Sequence, residues 1–283
     1  MSGDYMKEIG FIEIKNGVSK AIYDACHNLN EYTMNHLLKA KEREHTPLAC
    51  EIMQNIIDNA NLAREEHIPM CQDTGIVTCF AYIGYDVHLT CDLYEAINAG
   101  VKDAYEKYYL RKSVANAITR INTKDNTPAI VHVKMIPGDN LRLILAPKGA
   151  GSENMSKMAM LNPTDGIEGI KKFVVDAVKS AGGRPCPPLF LGVGIGGNFE
   201  TCCEMAKEAL MRTTPSSDPQ IREIEEQIKD LCNKTFIGPM GLGGETTVFE
   251  VFVNSVPCHI ASLPVACNIQ CHASRHKEVT LWD

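Results

Sequence analysis

Apolar residues in the first third of the chain recur at three- and four-residue intervals, the period of an amphipathic helix. Residues 18–41 and 48–66 carry this spacing, the second through Ile52, Ile56, Ile57 and Leu62, and each predicts a helix. Thr46-Pro47 supplies an N-cap and a first-turn proline for the second. Ile68-Pro69 breaks the pattern, because the residue before a proline is driven out of the helical region. A strand at 76–83 and a further helix at 93–118 follow.

Beyond Pro128 the texture turns to β. Residues 129–136 and 141–146 flank Pro137-Gly138-Asp139-Asn140, which predicts a hairpin. A Gly/Ser/Asn loop at 148–157 precedes a helix at 166–180, and 188–193 reads as a buried strand feeding a glycine turn at 194–197. Helices at 200–211 and 220–233, a loop at 238–244 and strands at 246–254 and 259–263 complete the pattern. With no internal repeat, low-complexity run or flexible linker, the expected fold is mixed α/β. One continuous unit over 1–283 is expected, with a helical part of about 1–120 packed on an α/β part of about 121–283 that carries a mixed sheet.

Composition narrows the partners. The chain has 283 residues, 45% hydrophobic and 22% charged, a profile that supports an ordinary core. Its longest apolar runs, 130–133 and 189–193, are too short to cross a membrane, and residues 1–8 lack the pattern of a secretory signal. A net charge of -7 argues against nucleic acid, and it obliges any anionic substrate to find its own local cations.

Twelve cysteines suggest either a disulfide framework or metal chemistry. A chain of this length without an export signal needs no disulfides, so a reducing cytoplasm is expected. Cys26, Cys50, Cys79, Cys91, Cys202 and Cys232 lie in helix-like or strand-like patterns and read as small buried hydrophobes. Cys71, Cys186 and the group Cys258, Cys267 and Cys271 stand instead beside Pro, Gly or polar residues. Loop-borne thiols so far apart suggest one metal site gathered by the fold; the alternative is loop cysteines of no special role. No two cysteines have C-x-x-C spacing, which removes zinc ribbons, thioredoxin-like pairs and ferredoxin loops. A cubane held by only three thiolates would keep one iron open to water or substrate as a Lewis acid.

The neighbours of these cysteines add chemistry. Asp73, beside Gln72 and Cys71, offers a carboxylate for acid–base work, although Asp73-Thr74-Gly75 also reads as an ordinary Asx-turn. His259 is a second proton-transfer candidate, or else a satisfied core histidine. Arg111-Lys112 is either a solvated face or the bidentate anchor a dianion would need. Gly149-Ala150-Gly151-Ser152-Glu153-Asn154 and Gly241-Leu242-Gly243-Gly244 could present backbone N–H groups to a carboxylate, or be simple turns. Gly192-Val193-Gly194-Ile195-Gly196-Gly197 formally fits a dinucleotide fingerprint. The acidic strand end expected about 20 residues on is replaced by the turn-like Thr213-Thr214-Pro215-Ser216. The glycines read better as sites where backbone approaches a cluster or another strand closely.

Taken in order, five motifs resemble the class I iron–sulfur fumarate hydratases and the related L-tartrate dehydratases. They are Cys-Gln-Asp-Thr-Gly, Gly-x-Gly-Ser-Glu-Asn, Cys-Pro-Pro with Gly-x-Gly-x-Gly-Gly, Gly-Pro-x-Gly-x-Gly-Gly and Cys-His-Ala-x-Arg, spread over about 29–277. The resemblance implies an iron–sulfur hydro-lyase α domain and an α subunit whose 4Fe–4S cluster is bound by Cys71, Cys186 and Cys271. It implies substrate contacts at Gln72, Asp73, Arg111, Gly149 and Gly151, with Ala150 standing where the family commonly has glycine. It pairs His259 with Asp73 on the proton of the substrate oxygen. The implied reaction is reversible hydration of fumarate to malate, with dehydration of L-tartrate to oxaloacetate as the alternative. A β subunit would carry the C-terminal domain and the base for the carbon-bound proton, in an α2β2 hetero-oligomer, and this chain alone would be inactive or nearly so.

Overall fold

The structure, a computed structural model, describes residues 7–281. Its first elements are β1 (Lys7–Ile9), α1 (Phe11–His27), α2 (Glu31–Arg43), α3 (Pro47–Glu65), β2 (Ile76–Gly84), β3 (Val87–Leu89) and α4 (Leu93–Lys107). Then come β4 (Ile130–Ile136), β5 (Leu141–Lys148), the short α5 (Ala150–Glu153), β6 (Lys157–Leu161) and α6 (Gly166–Ala181). β7 (Leu189–Gly197), α7 (Phe199–Ala209), α8 (Pro219–Asn233), β8 (Val248–Cys258), β9 (Leu263–Gln270) and β10 (Lys277–Leu281) complete the order. The mixed α/β class expected from the sequence is what the chain adopts.

Two compact units divide it, and both are discontinuous in sequence. One comprises Met1–Leu29, Leu62–Ala150 and Arg275–Asp283, the other Asn30–Asn61 and Gly151–Ser274. This boundary differs from the division near residue 120 suggested by sequence texture, because helices group with the sheets they cover and not with their neighbours in the chain.

In the first unit the sheet order is β10-β5-β2-β4, with β2 parallel to β4 and antiparallel to β5. α1 and α4 bury their apolar stripes, Ile14, Val18, Ile22, Ile97 and Val101, against Val77, Cys79, Ala81, Leu143 and Leu145 of the sheet. On the opposite face Phe80 stacks on His132 with ring centroids 4.8 Å apart. The predicted hairpin is not formed: β4 and β5 flank β2 instead of pairing with each other. The 137–140 segment folds over the end of β2, where Gly84 N–H donates to Asn140 O (2.9 Å) and Asp86 N–H to Gly138 O (3.0 Å). A Cβ on Gly84 would lie 2.3 Å from Gly138 O, so only glycine lets the two backbones meet this closely.

Two helical predictions also change. The run 18–41 is split, because Asn28 is extended and Asn30 caps α2 by accepting from Thr33 N–H at 2.8 Å. α4 stops at Lys107 and not near 118; Tyr109 is left-handed (φ 54°), and 108–129 carries neither helix nor strand beyond an Ala115–Asn122 bridge.

In the second unit the order is β6-β9-β7-β8. α6 and α8 cover one face through Ile170, Val174, Val178 and Ile228 over Leu191, Val193, Val251 and Ile269. α7 lies on β7 at its glycines: a Cβ on Gly192 would fall 1.9 Å from Ala206 O, and one on Gly194 2.0 Å from Cys202 O. The predicted turn at 194–197 is therefore strand: Gly194 and Gly197 admit α7, while a Cβ on Gly196 would fall 1.9 Å from Val256 O of β8, the close approach to another strand that the sequence suggested. β6 emerges from the predicted loop, and the predicted strand 259–263 is a turn between β8 and β9. No described helix is long and apolar enough to cross a membrane.

Candidate functional site

The first unit carries Cys71, Gln72, Asp73, Arg111 and Gly149. Residues 71–75 form the loop entering β2. Asp73 accepts from Gly75 N–H through Oδ1 (3.0 Å), the Asx-turn, and from Ala150 N–H through Oδ2 (2.8 Å). Each carboxylate oxygen keeps a further lone pair for a reactant. Gly149 admits this contact: a Cβ there would sit 3.0 Å from Asp73 Oδ2. Gly75, left-handed at φ 77°, crosses Lys148 so closely that a Cβ would lie 2.4 Å from the Lys148 carbonyl carbon. The Ala150 N–H is thus already engaged by Asp73.

Arg111 follows α4 in the irregular segment. It is exposed, and its guanidinium has no hydrogen-bond or ion-pair partner among the described residues. Its backbone is fixed, since Thr74 Oγ1–H donates to Arg111 O at 3.0 Å. The buried Tyr105 hydroxyl reaches Thr74 O (2.6 Å) and Gly75 O (3.0 Å), and burial raises its pKa above the usual phenol range. A free cation on a braced loop suits a carboxylate.

The second unit carries Cys186, Cys271, Gly151 and His259. Cys186 is left-handed at φ 56°, and its carbonyl accepts from His272 N–H (3.3 Å) and from His272 Nδ1 (2.9 Å), bringing the Cys186 and Cys271 turns together. Gln270 Nε2–H points to Cys271 Sγ at 3.7 Å, and Met240 N–H donates to Pro187 O at 2.8 Å. Gly151 is the second residue of α5, near Arg184 O, which a Cβ on it would meet at 3.6 Å. His259 is exposed in the β8–β9 turn; its Nδ1 accepts from Ala261 N–H (3.1 Å), which leaves Nε2 carrying the proton of the neutral ring.

All twelve cysteines are free thiols. Cys26, Cys79, Cys202 and Cys232 are buried, and burial pushes Cys26 up to about 11 and Cys79 and Cys232 to about 12, which keeps them inert. Cys71, Cys186 and Cys271 are partly exposed, whereas Cys267 is buried in β9 and Cys258 is exposed at the end of β8. Among the described residues no group of three or more His, Cys, Asp or Glu side chains surrounds a single-ion position. A cubane spreads its thiolates over different irons and needs no such single-ion position.

Sequence reasoning missed Asn126, Tyr105 and Glu44. Glu44 is buried and accepts from Glu245 N–H (2.9 Å) and Thr246 N–H (2.8 Å), holding the 238–246 loop. Nothing in the sequence near Glu44 signals a partner 200 residues away.

Comparison with known proteins gives these loops a context. A family model described as fumarate hydratase (Fumerase) matches residues 15–280. "Putative L(+)-tartrate dehydratase subunit alpha" of Methanocaldococcus jannaschii is 39% identical over 273 residues, covering 93% of this chain and 96% of the relative. L(+)-tartrate dehydratase subunit alpha of Escherichia coli strain UTI89 is 29% identical over 245 residues, 84% of this chain and 81% of its own, and the K12 protein of that name is 28% identical over the same length. The mixed α/β fold and the matching family define a hydro-lyase. The chain belongs to the fumarate hydratase (Fumerase) family, in its α-subunit form, which bears out the resemblance read from the five motifs.

Proposed function

We propose that this chain is the cluster-bearing α subunit of an iron–sulfur hydro-lyase, hydrating fumarate reversibly to malate together with a β subunit that carries the C-terminal domain. The observation that carries this reading is the pairing of functions in one unit: Asp73, its carboxylate oriented by Gly75 and Ala150, and Arg111, exposed and unengaged on a loop tied to Thr74. Arg111 would hold a substrate carboxylate bidentately. Asp73, with Gln72 beside it, would position the substrate oxygen and handle its proton, and His259 would exchange that proton through Nε2. Gly149 and Gly151 would let the substrate's other end approach backbone. Cys71, Cys186 and Cys271 would hold a 4Fe–4S cluster; thiolate is the donor such clusters take, and these three are partly exposed and free of disulfides. When bound, the cluster would supply a Lewis-acid iron without a protein thiolate.

The reading assigns the base for the carbon-bound proton to the β subunit, in an α2β2 assembly in the cytoplasm. The whole of 1–283 would act as one catalytic domain, in keeping with a single family model over 15–280. A second reading, dehydration of L-tartrate to oxaloacetate, is favoured by the names of the relatives at 39% and 29% identity. Malate and L-tartrate differ by one hydroxyl, which a pocket that merely tolerates it separates weakly. Turnover of fumarate, malate and L-tartrate by the anaerobically co-purified αβ complex tests both. Rapid interconversion of fumarate and malate supports the first; turnover of L-tartrate alone replaces it with the second; turnover of neither removes both.

A further inference from the structure

Asn126 is completely buried, yet its neighbours are two polar loops. Its backbone is left-handed (φ 64°), a conformation asparagine tolerates better than most side-chain-bearing residues. Oδ1 accepts from Ser113 N–H at 2.7 Å and from Val114 N–H at 3.2 Å, while Nδ2–H donates to Gly75 O at 3.1 Å. The partners fix the orientation of the amide: two N–H donors demand the oxygen, and a carbonyl demands the NH2.

One side chain therefore links two places of interest. Gly75 closes the Asx-turn that orients Asp73, and Ser113 lies two residues beyond Arg111. The Arg111 segment has no ladder of its own apart from the Ala115–Asn122 bridge, so side-chain hydrogen bonds must set its position. Thr74 Oγ1 to Arg111 O and the Tyr105 hydroxyl on Thr74 O and Gly75 O reinforce the same link. We infer that Asn126 is a positioning residue for the hydration reaction, setting where the Arg111 guanidinium stands relative to the Asp73 carboxylate. This rests on the reading that those two groups serve the substrate. A bound substrate has fixed reach, so a shift of about 1 Å between the group that holds its carboxylate and the group that positions its oxygen costs up to about 100-fold.

The test uses the anaerobic αβ complex, with iron content matched to wild type, and whichever of fumarate and L-tartrate the wild type turns over. Asn126→Gly keeps the left-handed backbone and removes the amide. Its KM should rise about 10- to 100-fold with a smaller fall in kcat, and calorimetry should show the same weakening of binding. Added to Arg111→Ala, Asn126→Gly should raise KM no further, because its effect passes through Arg111. An unchanged KM in Asn126→Gly, or full multiplication of the two effects in the double variant, overturns the inference. An unchanged KM in Arg111→Ala overturns the substrate reading itself and the inference with it. Should Asn126→Gly fail to fold, Asn126→Asp decides. Its carboxylate faces Gly75 O without a proton to donate, so KM should recover as pH falls, whereas wild type shows no such recovery. Parallel pH profiles overturn the inference.

Discussion

The Cys186 carbonyl accepts two hydrogen bonds from His272, from the backbone N–H at 3.3 Å and from ring Nδ1 at 2.9 Å. The acceptor is a carbonyl, so Nδ1 carries the proton. This bond clamps the turn of one proposed cluster cysteine to the residue following another. Replacing Cys71, Cys186 or Cys271 singly with Ser is expected to abolish cluster retention in anaerobic protein, whereas Cys91→Ser is not. His272→Ala should retain the cluster only in part. Iron and acid-labile sulfide per αβ pair check this, and full iron in all three Ser variants would remove the ligand assignment.

The glycines of β7 lead to a second expectation. With a Cβ on Gly192 only 1.9 Å from Ala206 O, Gly192→Ala must push α7 off the sheet, at a cost of about 3 kcal/mol. Close packing against α7 and against β8 accounts for these glycines without any nucleotide, so the iron-free protein should not bind NAD. A fall in denaturation midpoint for Gly192→Ala and a flat NAD titration are the expected results; tight NAD binding would reopen the dinucleotide reading.

These cases show what the sequence could reveal. Helices with a clear apolar stripe and an end signal, such as α3 behind Thr46-Pro47, were legible to within a few residues. So were the motif loops, whose chemistry lies in adjacent residues. Strand partnership was not: Pro137-Gly138-Asp139-Asn140 has turn chemistry whether it closes a hairpin or wraps the end of β2, and only the sheet order decides. The Gly192–Gly197 run is equally ambiguous, because close approach to a phosphate and close approach to a helix both require the absence of a Cβ. Asn126 and Glu44 were invisible, since each is defined by backbone groups remote in sequence, up to 202 positions for Glu44 and Thr246.

Glu44 yields a third expectation. Both its oxygens accept backbone N–H groups of the 238–246 loop, and a Cβ on Gly244 would lie 2.7 Å from Oε2. Glu44→Ala leaves two donors without their acceptor, at a cost of about 3 kcal/mol. Glu44→Gln keeps one acceptor and should lose roughly half as much. Because Met240 of the same loop donates to Pro187 O beside Cys186, the Ala variant should also hold iron more weakly. Urea midpoints and iron content measure the two effects, and a fully stable Glu44→Ala protein would show the carboxylate to be dispensable.

His276 gives the pH dependence. Although the residue keeps some exposure, its Nδ1 is sealed from solvent with no hydrogen-bond partner among the described residues, and burial pushes its pKa from 6.5 down to about 4. Between these values the unfolded chain takes up a proton that the folded chain refuses. The contribution to stability is therefore whole above pH 6.5 and declines as pH falls toward 4, by about 1.4 kcal/mol per pH unit. His276→Leu removes the titrating ring and with it this part of the slope. Relative to wild type, the variant should gain about 2 kcal/mol on going from pH 7 to pH 5, read from urea unfolding of the α chain by circular dichroism. Identical slopes for the two proteins would mean that the ring protonates freely in the folded state, and that its burial does not oppose the charge.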